Sequence, residues 1–325
     1  MSAIEIAEPG GPETLRLARR NTPKPGPGEV LIRVAAAGVN GPDMVQRAGL
    51  YPPPPGASDL LGLEVSGHVA AIGDGVSDTA LAPGAPVCAL TSGGGYAEYV
   101  AVDARHAAPP PEGVALLDAA GLPETYFTVW SNCFLDLRWP EGAVFLVHGG
   151  AGGIGSTAIQ LGAALGLRVF ATAATAEDAA FCESLGAERG VDASAEDFVS
   201  IVKAAGGADL ILDILGGPVI AQNIKAARHD ARLIQLAFNK GATVELNLTP
   251  IMLKRLTYTG STLRSRDPSF KARVAASLRD TVWPRFAEGA IKPLTHAVFP
   301  FAAAAEAHRL MEAGGHRGKI LLTPT

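Results

Sequence analysis

The chain predicts an α/β fold in which a doubly wound parallel sheet is inserted into a β-rich domain, and three observations predict it. An apolar strand at 144–148 runs directly into the glycine pattern Gly150-x-Gly152-x-x-Gly155 and then into an apolar-faced helix at 156–165. Downstream, short apolar strands alternate with helices, the pattern of a parallel sheet with crossover helices. Before about residue 119 and after about residue 263 that alternation is absent, and short strands are punctuated by Gly and Pro.

In chain order, residues 30–37, 65–72, 87–90 and 96–102 read as strands of the β-rich domain. In the glycine turn, Gly150 allows the sharp reversal, Gly152 lets backbone approach a pyrophosphate, and Gly155 lets helix and strand pack closely; Gly153 and Ile154 join them as expected cofactor-binding residues, and the N-terminal N–H groups of the following helix would receive the phosphates. This makes the segment a dinucleotide site. Strands follow at 167–172, 208–213, 232–238 and 256–260, with helices at 176–185 and 195–204. Ligands of such sheets bind at the carboxyl ends of the strands, so residues 149–155, 173–175, 213–216 and 237–239 are expected along one cleft. After 263 come a helix from Ser269, capped by Asp267 ahead of Pro268, a strand at 297–299, a helix at 302–313 and a strand at 319–322. The tail is expected to rejoin the N-terminal domain, giving a discontinuous domain of 1–119 with 264–325 around a nucleotide domain of 120–263, and a catalytic cleft between the two lobes.

With 325 residues and 48% apolar content, the chain is long enough for two domains with substantial cores. A net charge of −5 without any basic run argues against a nucleic-acid or anionic-membrane partner. No apolar stretch reaches spanning length and no signal peptide is visible, so the expected location is cytoplasmic. Cys88, Cys133 and Cys182 are too far apart in sequence for a disulfide framework or metal cluster and read as small buried apolar residues.

The order of these blocks, with Gly10-Gly11-Pro12-Glu13, Ala37-Gly38-Val39-Asn40, Gly62-Leu63-Glu64-Val65-Ser66-Gly67, Gly93-Gly94-Gly95-Tyr96-Ala97-Glu98-Tyr99-Val100, Leu263-Arg264-Ser265-Arg266-Asp267, Ala307-His308 and Gly318-Lys319-Ile320, resembles the medium-chain dehydrogenase/reductase superfamily, and within it the zinc-free quinone oxidoreductases. The resemblance implies a Rossmann domain inserted in a GroES-like catalytic domain. Zinc-dependent members carry a cysteine where this chain has Asn40 and Gly-His-Glu where it has Gly62-Leu63-Glu64, so no metal is expected. Oxidising a simple alcohol without a Lewis acid is poorly supported, whereas hydride delivered to a quinone or enone leaves charge that resonance spreads. The resemblance thus implies NADPH as cofactor, a quinone or enone as small-molecule substrate, and a homodimer joined sheet edge to sheet edge, for which 243–248 is a plausible edge strand.

Asn40 and Tyr51 are the expected catalytic residues. Asn40 would anchor the nicotinamide ribose or the acceptor carbonyl, its alternative being a turn residue before Gly41-Pro42; Tyr51 would stack on or donate to the acceptor, its alternative being packing on Pro52–Pro55. For the cofactor the resemblance adds Thr128, Leu263, Arg264, Ser265 and Lys319 to the glycine turn, and Ala174, Thr175 and Phe238 lie at or beside strand ends that line the cleft. Asp43 reads as a helix cap and His148 as locally hydrogen-bonded rather than an acid–base group. No acid follows the second strand, as NADPH would require, yet Glu177 or Asp178 replaces the family's phosphate-holding lysine, which leaves NADH open; Arg168 or Arg189 would be the substitute phosphate partner. Two other functions stand beside quinone reduction: enone or enoyl-thioester reduction, and a nucleotide-binding protein with little turnover.

Overall fold

The computed structural model describes residues 1–324. The chain divides into two compact units, one made of Met1–Thr128 together with the segment from Leu263 on, the other of Val129–Thr262. The second join falls one residue from the expected boundary, whereas the first falls nine residues beyond it, inside the helix Pro123–Cys133.

The continuous unit is a six-stranded sheet, all parallel, in the order Arg189–Asp192, Arg168–Ala173, Val144–His148, Ala208–Asp213, Ala227–Gln235, Thr257–Gly260. Its central strand Val144–His148 is buried along its whole length, as a parallel strand covered on both faces must be. Strand order reverses between Val144–His148 and Ala208–Asp213, so the glycine turn lies at the switch point where such sheets take ligands. The helix after the turn starts at Gly153 rather than Ser156, because Gly152 itself is the N-cap.

Three expectations for this unit change. The helix expected from 195 begins at Phe198, because Asp197 caps it by accepting from Val199 N. The strand expected from 232 starts at Ala227, its polar first half hidden by Arg228, His229 and Asp230. Residues 243–248 form no strand. Val244 and Leu246 do pack on the unit's core, so their alternation reports burial of one face but no lateral partner, and the sheet edge is Thr257–Gly260.

The discontinuous unit holds a seven-stranded sheet built on the long strand Glu29–Val39, which pairs with Glu64–Ile72, Tyr99–Asp103 and the C-terminal strand Lys319–Thr323. A two-stranded hairpin, Ser2–Ile6 with Leu15–Arg19, lies outside the strands read from sequence. Pairing of Lys319–Thr323 antiparallel to residues 37–39 returns the tail to the N-terminal region and sets Lys319 beside Asn40. All three cysteines are buried and free.

Candidate active site

In the nucleotide unit, the three glycines of the motif have different reasons for being glycine. Gly149, with φ +69, makes the left-handed turn that the sequence reading assigned to Gly150. Gly150 is a packing glycine, since a Cβ there would lie 2.5 Å from Cys182 Sγ and 3.0 Å from Ala171 Cβ. At Gly155 a Cβ would run into the Gly149 carbonyl, so the helix can approach the strand only without a side chain. Gly152 is different: a Cβ there would find no other atom closer than 3.7 Å, and its φ of −74 is open to any residue. Nothing within the unit demands glycine at 152, which is what a ligand's close approach would explain. The helix beyond it has no side-chain cap, leaving the first N–H groups, including those of Gly153 and Ile154, for an anion.

The neighbouring strand ends complete this rim. Ala174 is exposed, and Thr175 spends its side chain as N-cap of the next helix, accepting from Asp178 N at 3.1 Å. Phe238 is 47% exposed beside Gly216. The two arginines considered for a 2′-phosphate are already committed: Arg168 binds Glu188 through two hydrogen bonds of 2.7 and 2.6 Å, and Arg189 pairs with Glu196 and Glu183. His148 is buried between Thr172 Oγ1 (2.8 Å) and Asn223 Oδ1 (2.7 Å), while Asn223 Nδ2 donates to Asp213. Because Asn223 Oδ1 can only accept, Nε2 carries the proton and Nδ1 accepts from Thr172; burial holds the imidazole pKa below its ordinary value. This histidine braces the strand ends.

In the β-rich unit, chemistry gathers around Asn40, which is 5% exposed. Its Nδ2 donates to Glu64 Oε1 at 2.9 Å and to Gly38 O at 3.3 Å, and its Oδ1 accepts from Lys319 Nζ at 2.5 Å. Glu64 accepts and Lys319 donates, so the amide orientation is fixed by its partners. Both amide protons are thereby spent, leaving one acceptor lone pair. Asn40 therefore fits a hydroxyl such as that of a ribose, and the carbonyl-anchoring alternative is lost. Lys319 Nζ also binds Val39 O at 3.0 Å and Glu64 Oε1 at 2.8 Å. Its three protons have three acceptors in the chain, so Lys319 positions Asn40 and Glu64 and has no free proton for a cofactor. Gly38 must be glycine, since a Cβ would strike the Glu64 carboxylate.

Glu64 Oε2 accepts from Glu124 N at 2.8 Å. Glu124 itself, at the start of its helix, has its pKa pushed up to about 8 by burial and then by the Glu64 charge. Asp43 caps the helix after Asn40 as expected, and it also accepts from Gly62 N (3.1 Å) and Tyr96 Oη (3.1 Å). Tyr96 Oη in turn meets His308 Nε2 at 3.2 Å, and His308 Nδ1 meets Arg47, which is paired with Glu312. Burial raises Asp43 to about 6 and lowers His308 to about 3, so His308 is neutral and this chain braces the Asn40 turn.

Tyr51 is partly buried, with the Arg264 guanidinium 5.5 Å from its ring centroid, and its hydroxyl has no hydrogen-bond partner among the described residues. Arg264 turns into the β-rich unit, donating to Ser92 O (2.9 Å) and Gln46 Oε1 (2.8 Å). Leu263 is buried, Ser265 is exposed, and Thr128 is partly buried on the helix Pro123–Cys133. The structure thus joins Asn40 to Lys319 and Tyr51 to Arg264. Sequence reading missed Glu124 and the Tyr96–His308 brace as separate functional features; the family motifs contained Glu64, Tyr96 and His308 without assigning them partners.

Comparison with known proteins matches residues 26–112 to the alcohol dehydrogenase GroES-like domain and residues 153–279 to the zinc-binding dehydrogenase family. Quinone oxidoreductase of Rattus norvegicus is 30% identical over 99% of this chain and 97% of its own length. A mycocerosic acid synthase-like polyketide synthase of Mycobacterium tuberculosis is also 30% identical, over 98% of this chain, which spans only 15% of that protein. The solved structure of Escherichia coli quinone oxidoreductase complexed with NADPH superposes with a TM-score of 0.87 at 25% identity, covering 100% of both chains. Near-complete coverage of the quinone oxidoreductases, through both units and in the same order, carries the assignment: the chain belongs to the quinone oxidoreductase branch of the medium-chain dehydrogenase/reductase superfamily and is an NAD(P)H-dependent oxidoreductase.

Proposed function

We propose that this protein reduces conjugated carbonyl compounds, quinones first, with hydride from NADPH and without a catalytic metal. The observation that carries this reading is the Lys319 ammonium seated between Asn40 and Glu64. The family resemblance puts a zinc-binding cysteine at Asn40 and a histidine at Leu63, and here a fixed side-chain cation, Lys319, satisfies Asn40 together with Glu64. Among the described residues no group of three His, Cys, Asp or Glu side chains is placed to hold a metal ion.

Bound NADPH supplies the hydride. The glycine turn holds the pyrophosphate through the uncapped helix end, and Gly152 gives it room. Asn40 accepts from a ribose hydroxyl with its remaining lone pair. Tyr51 donates its hydroxyl to the acceptor oxygen as negative charge develops there, and the Arg264 charge over its ring opposes the rise in hydroxyl pKa caused by burial. Such a site suits an acceptor whose charge is delocalised, since Asn40 and Leu63 stand where the resemblance puts ligands of the Lewis acid that an alkoxide would need.

NADPH is preferred to NADH because Ala174 follows the second strand where an acid would hold the ribose hydroxyls, and the Escherichia coli relative was solved with NADPH. The protein acts as a homodimer joined along the Thr257–Gly260 edge, where Leu248, Met252, Leu253 and Tyr258 leave 62%, 71%, 62% and 44% of their surface exposed. Steady-state rates with 1,4-benzoquinone, 2-alkenals and simple alcohols test the reading. Rapid quinone reduction with negligible alcohol oxidation is the expected result. Good alcohol turnover, or stoichiometric zinc in the purified protein, would overturn it.

A further inference from the structure

Arg264 and Lys271 are two buried cations, 6% and 4% exposed, in ion-pair contact with no carboxylate among the described residues. Glu124, whose charge would act on both, has its own pKa pushed up to about 8 by burial. Arg264 Nη2 is buried with no hydrogen-bond partner at all. Lys271 Nζ donates to Arg264 O at 2.7 Å and Ser92 Oγ at 3.3 Å, which leaves a third proton unspent. Burial lowers the pKa of both, the mark of a desolvation penalty on their charged forms. A buried cation persists at such cost when a counter-charge arrives from elsewhere.

Both side chains line a cavity of about 1010 Å³ that lies wholly within the β-rich unit, walled by residues 54–60 and 91–94. Its acidic residues are already engaged: Asp59 with Arg20, Asp103 with Arg105, and Glu29 with the Gly26 N–H. At Gly93, whose φ is +143, a Cβ would sit 2.7 Å from Ser58 O and 3.2 Å from Arg264 Nη2, so this wall cannot carry a side chain beside the unpartnered nitrogen. Tyr51 lies against the same guanidinium.

We propose that this cavity binds an oxyanion carried by the acceptor, with Arg264 Nη2 and Lys271 Nζ as its charge-assisted donors. The inference rests on the reductase reading and narrows it: the preferred acceptors are conjugated compounds bearing a carboxylate or a phosphate. Either source offers the same chemistry, a carboxylate on a quinone ring or the phosphates of an enoyl-CoA thioester.

The test compares wild type, Lys271→Met and Lys271→Arg at saturating NADPH. The acceptors are 1,4-benzoquinone, a carboxylated benzoquinone, crotonyl-CoA and the phosphate-free N-acetylcysteamine thioester of crotonate. Wild type is expected to favour one charged acceptor over its neutral counterpart by about 10-fold or more in kcat/KM, the size of one charge-assisted hydrogen bond. The acceptor pair showing the preference identifies the source. Lys271→Met should abolish that preference through KM, and Lys271→Arg should restore it. Because Lys271→Met removes a buried charge without an ion-pair partner, its melting temperature should hold or rise, whereas a purely structural lysine would lower it. Equal efficiency for charged and neutral acceptors in wild type, a uniform loss on all four acceptors, or a change in the NADPH KM instead would overturn the proposal. If no acceptor is reduced, the reductase reading fails by itself; calorimetric binding of carboxylated benzoquinone to wild type but not to Lys271→Met then still supports the anion site, and equal or absent binding overturns it.

Discussion

Replacing Lys319 by Met would test the cluster on which the active-site reading depends. The ammonium is 8% exposed and makes three bonds, to Val39 O at 3.0 Å, Asn40 Oδ1 at 2.5 Å and Glu64 Oε1 at 2.8 Å. Methionine fills most of the volume, so the loss is electrostatic. Glu64, fully buried, keeps its bonds from Asn40 Nδ2 and Glu124 N but loses the ion-pair partner it has among the described residues. Removing one partner of a buried pair costs about 3–5 kcal/mol, and the two surviving bonds place this case near 3. At about 2–4 °C per kcal/mol the melting temperature should fall by about 10 °C. One control makes the reasoning specific. Adding Glu64→Gln to Lys319→Met should recover most of the stability, because the double variant carries neither charge. Scanning calorimetry or urea unfolding reads both effects. A single variant within about 1 kcal/mol of wild type, or a double variant no better than the single, would refute the argument.

Other expected outcomes are as definite. Gly155→Ala drives a methyl into backbone and should cost about 2–3 kcal/mol by urea unfolding, whereas Gly152→Ala should leave stability within about 0.5 kcal/mol yet weaken NADPH about 10-fold or more in a fluorescence titration. Tyr51→Phe should lower kcat/KM for 1,4-benzoquinone about 10-fold or more with the NADPH KM unchanged, since only the hydroxyl is removed. For Glu124, whose pKa rises from 4.5 to about 8 on folding, the native state holds a proton that the unfolded chain has lost. Its stabilisation is complete below the unfolded value and disappears as pH rises through the folded one. Wild type should therefore lose about 2 kcal/mol relative to Glu124→Gln between pH 4.5 and 8 after screening by solvent, read as the difference between their unfolding curves.

What was legible in the chain follows from how local each signal is. The glycine turn was readable because strand, turn and helix are contiguous, although the left-handed position is Gly149 and not Gly150, and Gly150 answers to Cys182 and Ala171, which sequence does not place beside it. That the sheet is parallel followed from alternation alone. Segment 243–248 misled because alternating apolar residues report that one face is covered, as Val244 and Leu246 are, and say nothing about a hydrogen-bonding neighbour. The first half of the strand Ala227–Gln235 escaped notice for the opposite reason: its polar residues are held by ion pairs such as Asp230 with Arg255, both at positive φ.

The site was legible as a list of residues but not as a set of relations. Asn40 and Lys319 are 279 positions apart, and only the pairing of the last strand with residues 37–39 brings the ammonium to the amide. That pairing settles what a list cannot: an asparagine between a donor-only lysine and an acceptor-only glutamate has no proton left to give, so the acceptor's developing charge must be met by another group. Tyr51 has an unengaged hydroxyl among the described residues and a guanidinium against its ring. The proposed division of labour rests on this, with Asn40 accepting and Tyr51 donating. The same logic explains why Arg264 could not be read correctly from its motif alone. Its guanidinium is oriented by Ser92 and Gln46, residues from two distant segments, and they engage all but one nitrogen.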